Sequence, residues 1–203
     1  MLATLFLAMT VQAAGCSAIV NANPPDSGTA YLYETSINGE VMDVLTRFEV
    51  GAGTGLATTF YQGGGLSRDA IEMNRRSPIR GYGGIAFPRS LGSGPRRREF
   101  SYSPSPDEVL ARLAPGDSED IYVHERNAGA GERYRLTLSF DRCADYNIDG
   151  LQVAANVYTI TRGADDGGAT QVREVWLSRS SGWWLVENRP DQQMRSSLIE
   201  VSD

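Results

Sequence analysis

Between residues 133 and 143 the chain reads RYRLTLSFDRC. Tyr134, Leu136, Leu138 and Phe140 share one parity, and Arg133, Arg135, Thr137, Ser139 and Asp141 take the other. A period of two predicts a strand with one face in a core and one in water. LQVAANVYTITRG (151–163), VREVWLSRS (172–180) and GWWLVEN (182–188) continue in kind, and SSLIEVSD (196–203) predicts a closing strand. Upstream, AYLYET (30–35), VMDVLTRFEV (41–50) and GLATTFYQ (55–62) are strand-like too. Turn signals separate these runs: Asn38-Gly39, Asp149-Gly150, Asp165–Gly168 and Ser180–Gly182. One short helix is expected near 106–113, where Ser105-Pro106-Asp107-Glu108 forms a capping box with Pro at N1 before VLARL. Strands joined by short turns predict a mainly β fold, an antiparallel meander curled into a half-barrel or sandwich.

Residues 63–98 differ in kind. No period holds, glycine and proline interrupt repeatedly, and the stretch is expected to be one long Gly/Arg-rich loop. It holds eight arginines against Asp69 and Glu72, a local charge of +6 that leaves −12 for the rest of a chain of net charge −6. Arg75, Arg76, Arg80, Arg96, Arg97 and Arg98 are candidate contacts for phosphate or anionic lipid, with Tyr82 and Phe87 between them. The competing reading is a solvated loop that offsets an acidic body.

The N-terminus changes the expected address. LATLFLAM (2–9) is an apolar run followed by small residues up to Cys16, the pattern of an export signal. Ala13-Ala14-Gly15-Cys16 resembles a bacterial lipobox, with Ala13 where leucine is usual. That resemblance implies cleavage before Cys16, acylation of its thiol and a lipid anchor in the membrane. Ordinary cleavage after Ala13, an uncleaved anchor over 2–20, and no export at all are the alternatives. The first 15 residues therefore read as a signal peptide, 16–29 as a tether (NANPPDSG, 21–28, is its clearest part) and 30–203 as a single β domain. The only other cysteine is Cys143. It is a lone thiol packed at a strand end if Cys16 is acylated, and a partner for Cys16 in an oxidising compartment if not.

Composition limits the chemistry further. With 203 residues, 41% hydrophobic and 22% charged, the chain suits one domain with a core of its own, and its global acidity argues against nucleic acid as a partner. His124 is the only histidine, so a hydrolase built on histidine, a serine and an acid would have to use it. It keeps step with Tyr122 and Arg126 and out of step with Ile121 and Val123, on the polar face of a strand. PGDSE (115–119) lacks the surroundings of a hydrolase block, and there is no nucleophile elbow. DYNIDG (145–150) matches the opening of a calcium loop, but Asn156 stands where the bidentate acid is due, so a type I′ hairpin is favoured. GAGTG (51–55) lacks the lysine and helix of a phosphate loop. No cofactor and no metal are expected. Of the adjacent Trp183 and Trp184, alternation buries one and leaves the other on a sheet edge.

The order Leu113-Ala114-Pro115-Gly116-Asp117, then Val153-Ala154-Ala155 in a long hairpin, then Trp176-Leu177-Ser178 and Gly182-Trp183, resembles uncharacterised periplasmic β-sheet proteins of proteobacteria over about residues 107–201. Asn147–Gly150 stands where those proteins carry a proline-alanine-glycine turn. The resemblance implies a fold and an envelope address, with no activity to carry over. The expectation is thus an exported envelope protein of the periplasm, lipid-anchored through Cys16 with the outer membrane favoured. Its role is non-catalytic binding or structure, with an envelope protein or anionic lipid as partner.

Overall fold

The computed structural model describes residues 16–19, 26–50, 54–61, 68–74, 87–88, 90–92, 97–127, 131–163 and 170–202. Among them lie twelve strands and one α-helix. They are β1 (Ala30–Ile37), β2 (Glu40–Val50), β3 (Thr54–Tyr61), β4 (Arg68–Asn74), β5 (Ser90–Leu91), β6 (Arg98–Ser103), α1 (Pro106–Arg112), β7 (Ser118–Arg126), β8 (Gly131–Ile148), β9 (Leu151–Gly163), β10 (Gln171–Ser178), β11 (Trp184–Arg189) and β12 (Met194–Ser202). The fold is mainly antiparallel β, and each strand pairs with its neighbour in sequence. β1 bonds both β2 and β12, so the pairing runs round as a ring. The ring has a thin seam at β5, which offers two residue pairs to each neighbour.

Local chemistry explains the tight turns. Asn38-Gly39 and Asp149-Gly150 all have positive φ (52°, 85°, 47° and 85°), the type I′ geometry that matches the twist of flanking strands. The Asn147 side chain accepts from the Gly150 N–H at 2.9 Å, so DYNIDG is a hairpin tip. α1 begins at Pro106 as expected, but the capping box does not form: Ser105 makes no side-chain cap.

Two expectations are corrected here. The stretch 63–98 is not one loop, because it contains β4 and β5 and ends on the first residue of β6. Pairing with neighbours supplies those strands with a partner ladder that their own sequence pattern does not announce. Trp183 and Trp184 are also not divided between core and edge, since both are buried. The register shifts between Trp176 and Leu177, which breaks strict alternation beside Trp184, and the two indoles stack on Tyr31 and Tyr33 of β1.

The core runs through the ring. Tyr33, Phe140, Tyr158, Leu138 and Ile160 are wholly or almost wholly buried, and Val109, Leu110 and Leu113 of the α1 region join them. The turn after α1 is tied down by backbone bonds between Gly116 and Asp117 and the two polar groups of Phe140. Since α1 lies between the end of β6 and the start of β7, it covers one end of the sheet. The opposite end is formed by the start of β6, the end of β7, the start of β8 and their counterparts in β9–β11.

Candidate functional site

The covered end also holds the N-terminal segment. Cys16 is bonded to Cys143 in β8, with Cα atoms 5.7 Å apart and a sequence separation of 127. Ile19 is buried in the core, and the Asn156 amide donates to the Ser17 carbonyl at 3.0 Å and to the Tyr158 hydroxyl at 3.1 Å. Two expectations change as a result. Of the expected 16–29 tether, residues 16–19 are docked on the sheet, and 26–29 lead into β1 with Thr29 buried. A sulfur bonded to Cys143 has no valence for a thioether, so acylation of Cys16, and the lipid anchor that depended on it, is incompatible with this bridge. Cys143 is likewise no lone thiol. Residues 1–15, with the expected signal peptide and most of the alternative 2–20 anchor, lie outside the described residues.

Among the described residues no element caps the opposite end, the uncovered end, and it holds a half-open cavity of about 200 Å³. Strand parity brings its charged residues there. Glu125 keeps step with buried Ile121 and Val123, Arg162 with Tyr158 and Ile160, and Arg173 with Val175 and Leu177. Arg98, Arg162, Arg173 and Arg189 line the cavity together with Glu125 and Asp191, an excess of two positive charges. Phe100, Tyr102, Tyr134, Leu136 and Ile160 supply aromatic and apolar wall.

Buried carboxylates hold the arginines. Glu125, 6% exposed, meets the Arg98 guanidinium at 3.5 Å and accepts from the Tyr134 hydroxyl at 3.4 Å. Glu187, 3% exposed, accepts from Arg189 Nε at 2.8 Å and from Arg173 Nη1 at 3.5 Å. Arg162 pairs with Glu132 and lies over the Tyr134 ring, 3.8 Å from its centroid. Burial first, and then the Glu125 charge, pushes the Tyr134 phenol up to about 12, while burial raises Tyr102 well above the ordinary range. Both phenols therefore stay protonated donors at any physiological pH, and the Tyr102 hydroxyl donates a hydrogen bond to the Pro88 carbonyl at 2.8 Å.

The arginines singled out in the sequence divide. Arg98 lines the cavity. Arg97, one residue earlier on the opposite face, pairs with Glu99 at 3.4 Å, and both are exposed. Arg75, Arg76, Arg80 and Arg96 lie outside the described residues, as does Tyr82. Phe87 is buried, edge-on to Tyr102. His124 sits on the outer face between exposed Tyr122 and Arg126, as its parity requires. Its ring crosses Gly131, where an added Cβ would stand 3.0 Å from Nε2, and the neighbouring Ser101 hydroxyl is directed to the His124 backbone carbonyl. Sequence reading missed Glu125, Arg162, Arg173, Glu187 and Arg189. The signal was present for Glu125, Arg162 and Arg173, each a charge in step with buried apolar neighbours, but not for Glu187 and Arg189, because both parities of β11 begin with apolar residues.

No known protein family and no curated protein matches the chain. Among solved structures it is similar to the hypothetical lipoprotein YmcC from Escherichia coli K12, at 10% identity over 89% of this chain and 90% of that one, with a TM-score of 0.49. It is similar also to a protein of Bacteroides fragilis described as exported with a YmcC-like fold, at 10% identity over 92% of this chain and 100% of that one, with a TM-score of 0.49. A third likeness, to a protein of Parabacteroides distasonis described as a lipoprotein, has 9% identity over 92% and 99% of the two chains and a TM-score of 0.48. These likenesses carry neither a function nor an address to this chain.

Proposed function

We propose that the chain is a non-catalytic binding protein of an oxidising compartment outside the cytoplasm, the periplasm, and that its ligand enters the uncovered end of the sheet. The observation that carries the binding role is the difference between the two ends. One is filled by α1 and the disulfide-held N-terminal segment, while the other keeps a cavity with fixed charges and aromatic wall. Concave sites lined by apolar surface with a few held polar groups are the usual form of a small-molecule site. The address is supported by the Cys16–Cys143 bridge, since such bonds persist where thiols are not kept reduced, and by the apolar opening at 2–9.

The test is to express the full reading frame in a Gram-negative host, fractionate the cells, alkylate thiols and measure the intact mass of the product. The expected result is a periplasmic protein with no acyl mass and no alkylated cysteine until it is reduced. A cytoplasmic product with two alkylated cysteines, or acyl mass on Cys16, overturns this reading.

A further inference from the structure

We infer that the cavity at the uncovered end is an oxyanion site, taking a phosphate or carboxylate group attached to a flat or apolar body. The inference rests on the binding role proposed above and names the class of its ligand. Three observations carry it.

The first is charge. Four arginines face the cavity against Glu125 and Asp191, while the two further carboxylates that balance the cluster, Glu132 and Glu187, stand outside the lining, so the cationic groups are concentrated on the cavity side. The second is how the guanidiniums are held. A guanidinium has five N–H donors in a rigid fork suited to oxyanions. Nη1 of Arg98 is directed to Glu125 and Nη2 of Arg162 to Glu132, while Arg189 directs Nε to Glu187 and Nη1 to Gln192. Each carboxylate engages part of its arginine, and the guanidinium-bearing residues themselves line the cavity. Glu132 and Glu187 are not part of that lining, so they orient the arginines without competing for the space in front of them. The third is the wall. Phe100 and Tyr102 lie near parallel at 6.5 Å, and the Tyr134 ring is stacked under Arg162, which offers flat surface beside the donors. A cavity of about 200 Å³ admits a phosphoryl or carboxyl group with a small ring.

The experiment uses the exported, disulfide-bonded protein at constant ionic strength. Three probes are titrated by calorimetry: phenyl phosphate, inorganic phosphate and benzyl alcohol. The variants are R98Q, at a half-exposed lining position, and R97Q, which removes the same charge from the opposite face one residue away. The expected result is that phenyl phosphate binds more tightly than inorganic phosphate. R98Q weakens both roughly tenfold, the effect of one lost charge-assisted hydrogen bond, and R97Q leaves both unchanged. Equal weakening by R97Q and R98Q overturns the site in favour of a general surface charge effect. Binding of benzyl alcohol alone overturns the anion assignment and leaves the uncovered end a binding site. Binding of none of the three overturns the assignment and removes that end as a site. Sedimentation with phosphatidylcholine vesicles, with and without phosphatidic acid, then assigns the source. Loss of sedimentation in R98Q identifies a lipid headgroup, and no sedimentation beside phenyl phosphate binding identifies a soluble ligand.

Discussion

The Tyr33 hydroxyl accepts the indole N–H of Trp183 at 2.7 Å, 150 residues away in sequence, and donates to the Trp184 carbonyl at 2.9 Å. Tyr33 is wholly buried, so this one oxygen satisfies a donor and an acceptor that water cannot reach. It ties β1 to the segment entering β11 across the intervening strand β12.

Replacing Tyr33 with Phe removes both bonds while keeping the stack on Trp184. The expected cost is about 1–3 kcal/mol, because each former partner loses a hydrogen bond in a place that water cannot reach. Urea unfolding followed by tryptophan fluorescence measures it. An unchanged midpoint would show that the hydrogen bonds contribute nothing beyond the stacking.

The bridge between Cys16 and Cys143 closes most of the chain into a loop. Reduction, or C143S, is expected to lower stability by about 4–5 kcal/mol on the chain-entropy account of a loop of this length. Denaturation with and without reductant tests it. Reduction also frees the segment that buries Ile19, so a core signal should change along with the midpoint.

Glu187 is shared by Arg173 and Arg189, whose side chains are 22% and 33% exposed. E187Q leaves two guanidiniums around a neutral amide. The expected loss is about 2 kcal/mol, less than the roughly 3–5 kcal/mol of a fully buried pair because water reaches both arginines. Urea unfolding of E187Q beside wild type checks it, and R97Q, an outward surface change, should stay within about 0.5 kcal/mol.

Tyr134 predicts an alkaline limit. Its folded value, about 12, lies above the ordinary value of 10.0, so folding favours the protonated phenol. The contribution is complete below pH 10 and is lost as pH rises through about 12, where the folded phenol also ionises. Unfolding midpoints across this range should fall more steeply in wild type than in Y134F, and a spectrophotometric titration of Y134F should lack one late tyrosinate step. Parallel curves would show that Tyr134 titrates alike folded and unfolded.

His124 gives the opposite expectation. On the outer face, with a glycine beneath its ring, H124A should change stability by less than about 0.5 kcal/mol. A large loss by thermal melting would place the imidazole in a structural role that its position does not suggest.

The site was partly legible from the sequence. Arg98 was singled out for its neighbours Arg96 and Arg97, yet what brings it into the cavity is the face it occupies on β6. Glu125 in IYVHER and Arg162 in YTITRG interrupt an apolar parity, a mark carried by the strand pattern itself. Their partners were not readable, because Arg98 meets Glu125 only where β6 lies beside β7, and Arg162 meets Glu132 only across β8 and β9.

The alternation of apolar and polar residues, with Asn-Gly and Asp-Gly between runs, determined by itself that the chain is an antiparallel meander with a short helix at Pro106. Side-chain period and turn φ are local properties, fixed by a few consecutive residues. Tertiary structure alone decided four things. They are the pairing of β1 with β12, the strands within 63–98, the burial of both Trp183 and Trp184, and the fate of Cys16. Each depends on which groups lie opposite one another across the sheet. For β1 with β12, the tryptophan pair and Cys16 the partners are more than a hundred residues apart and leave no local trace, while the strands within 63–98 take their ladders from neighbours that their own irregular pattern does not announce. The thiol shows it most directly: the residues around Cys16 suit a lipid as well as a bridge, and only the position of Cys143 beside it selects the bridge.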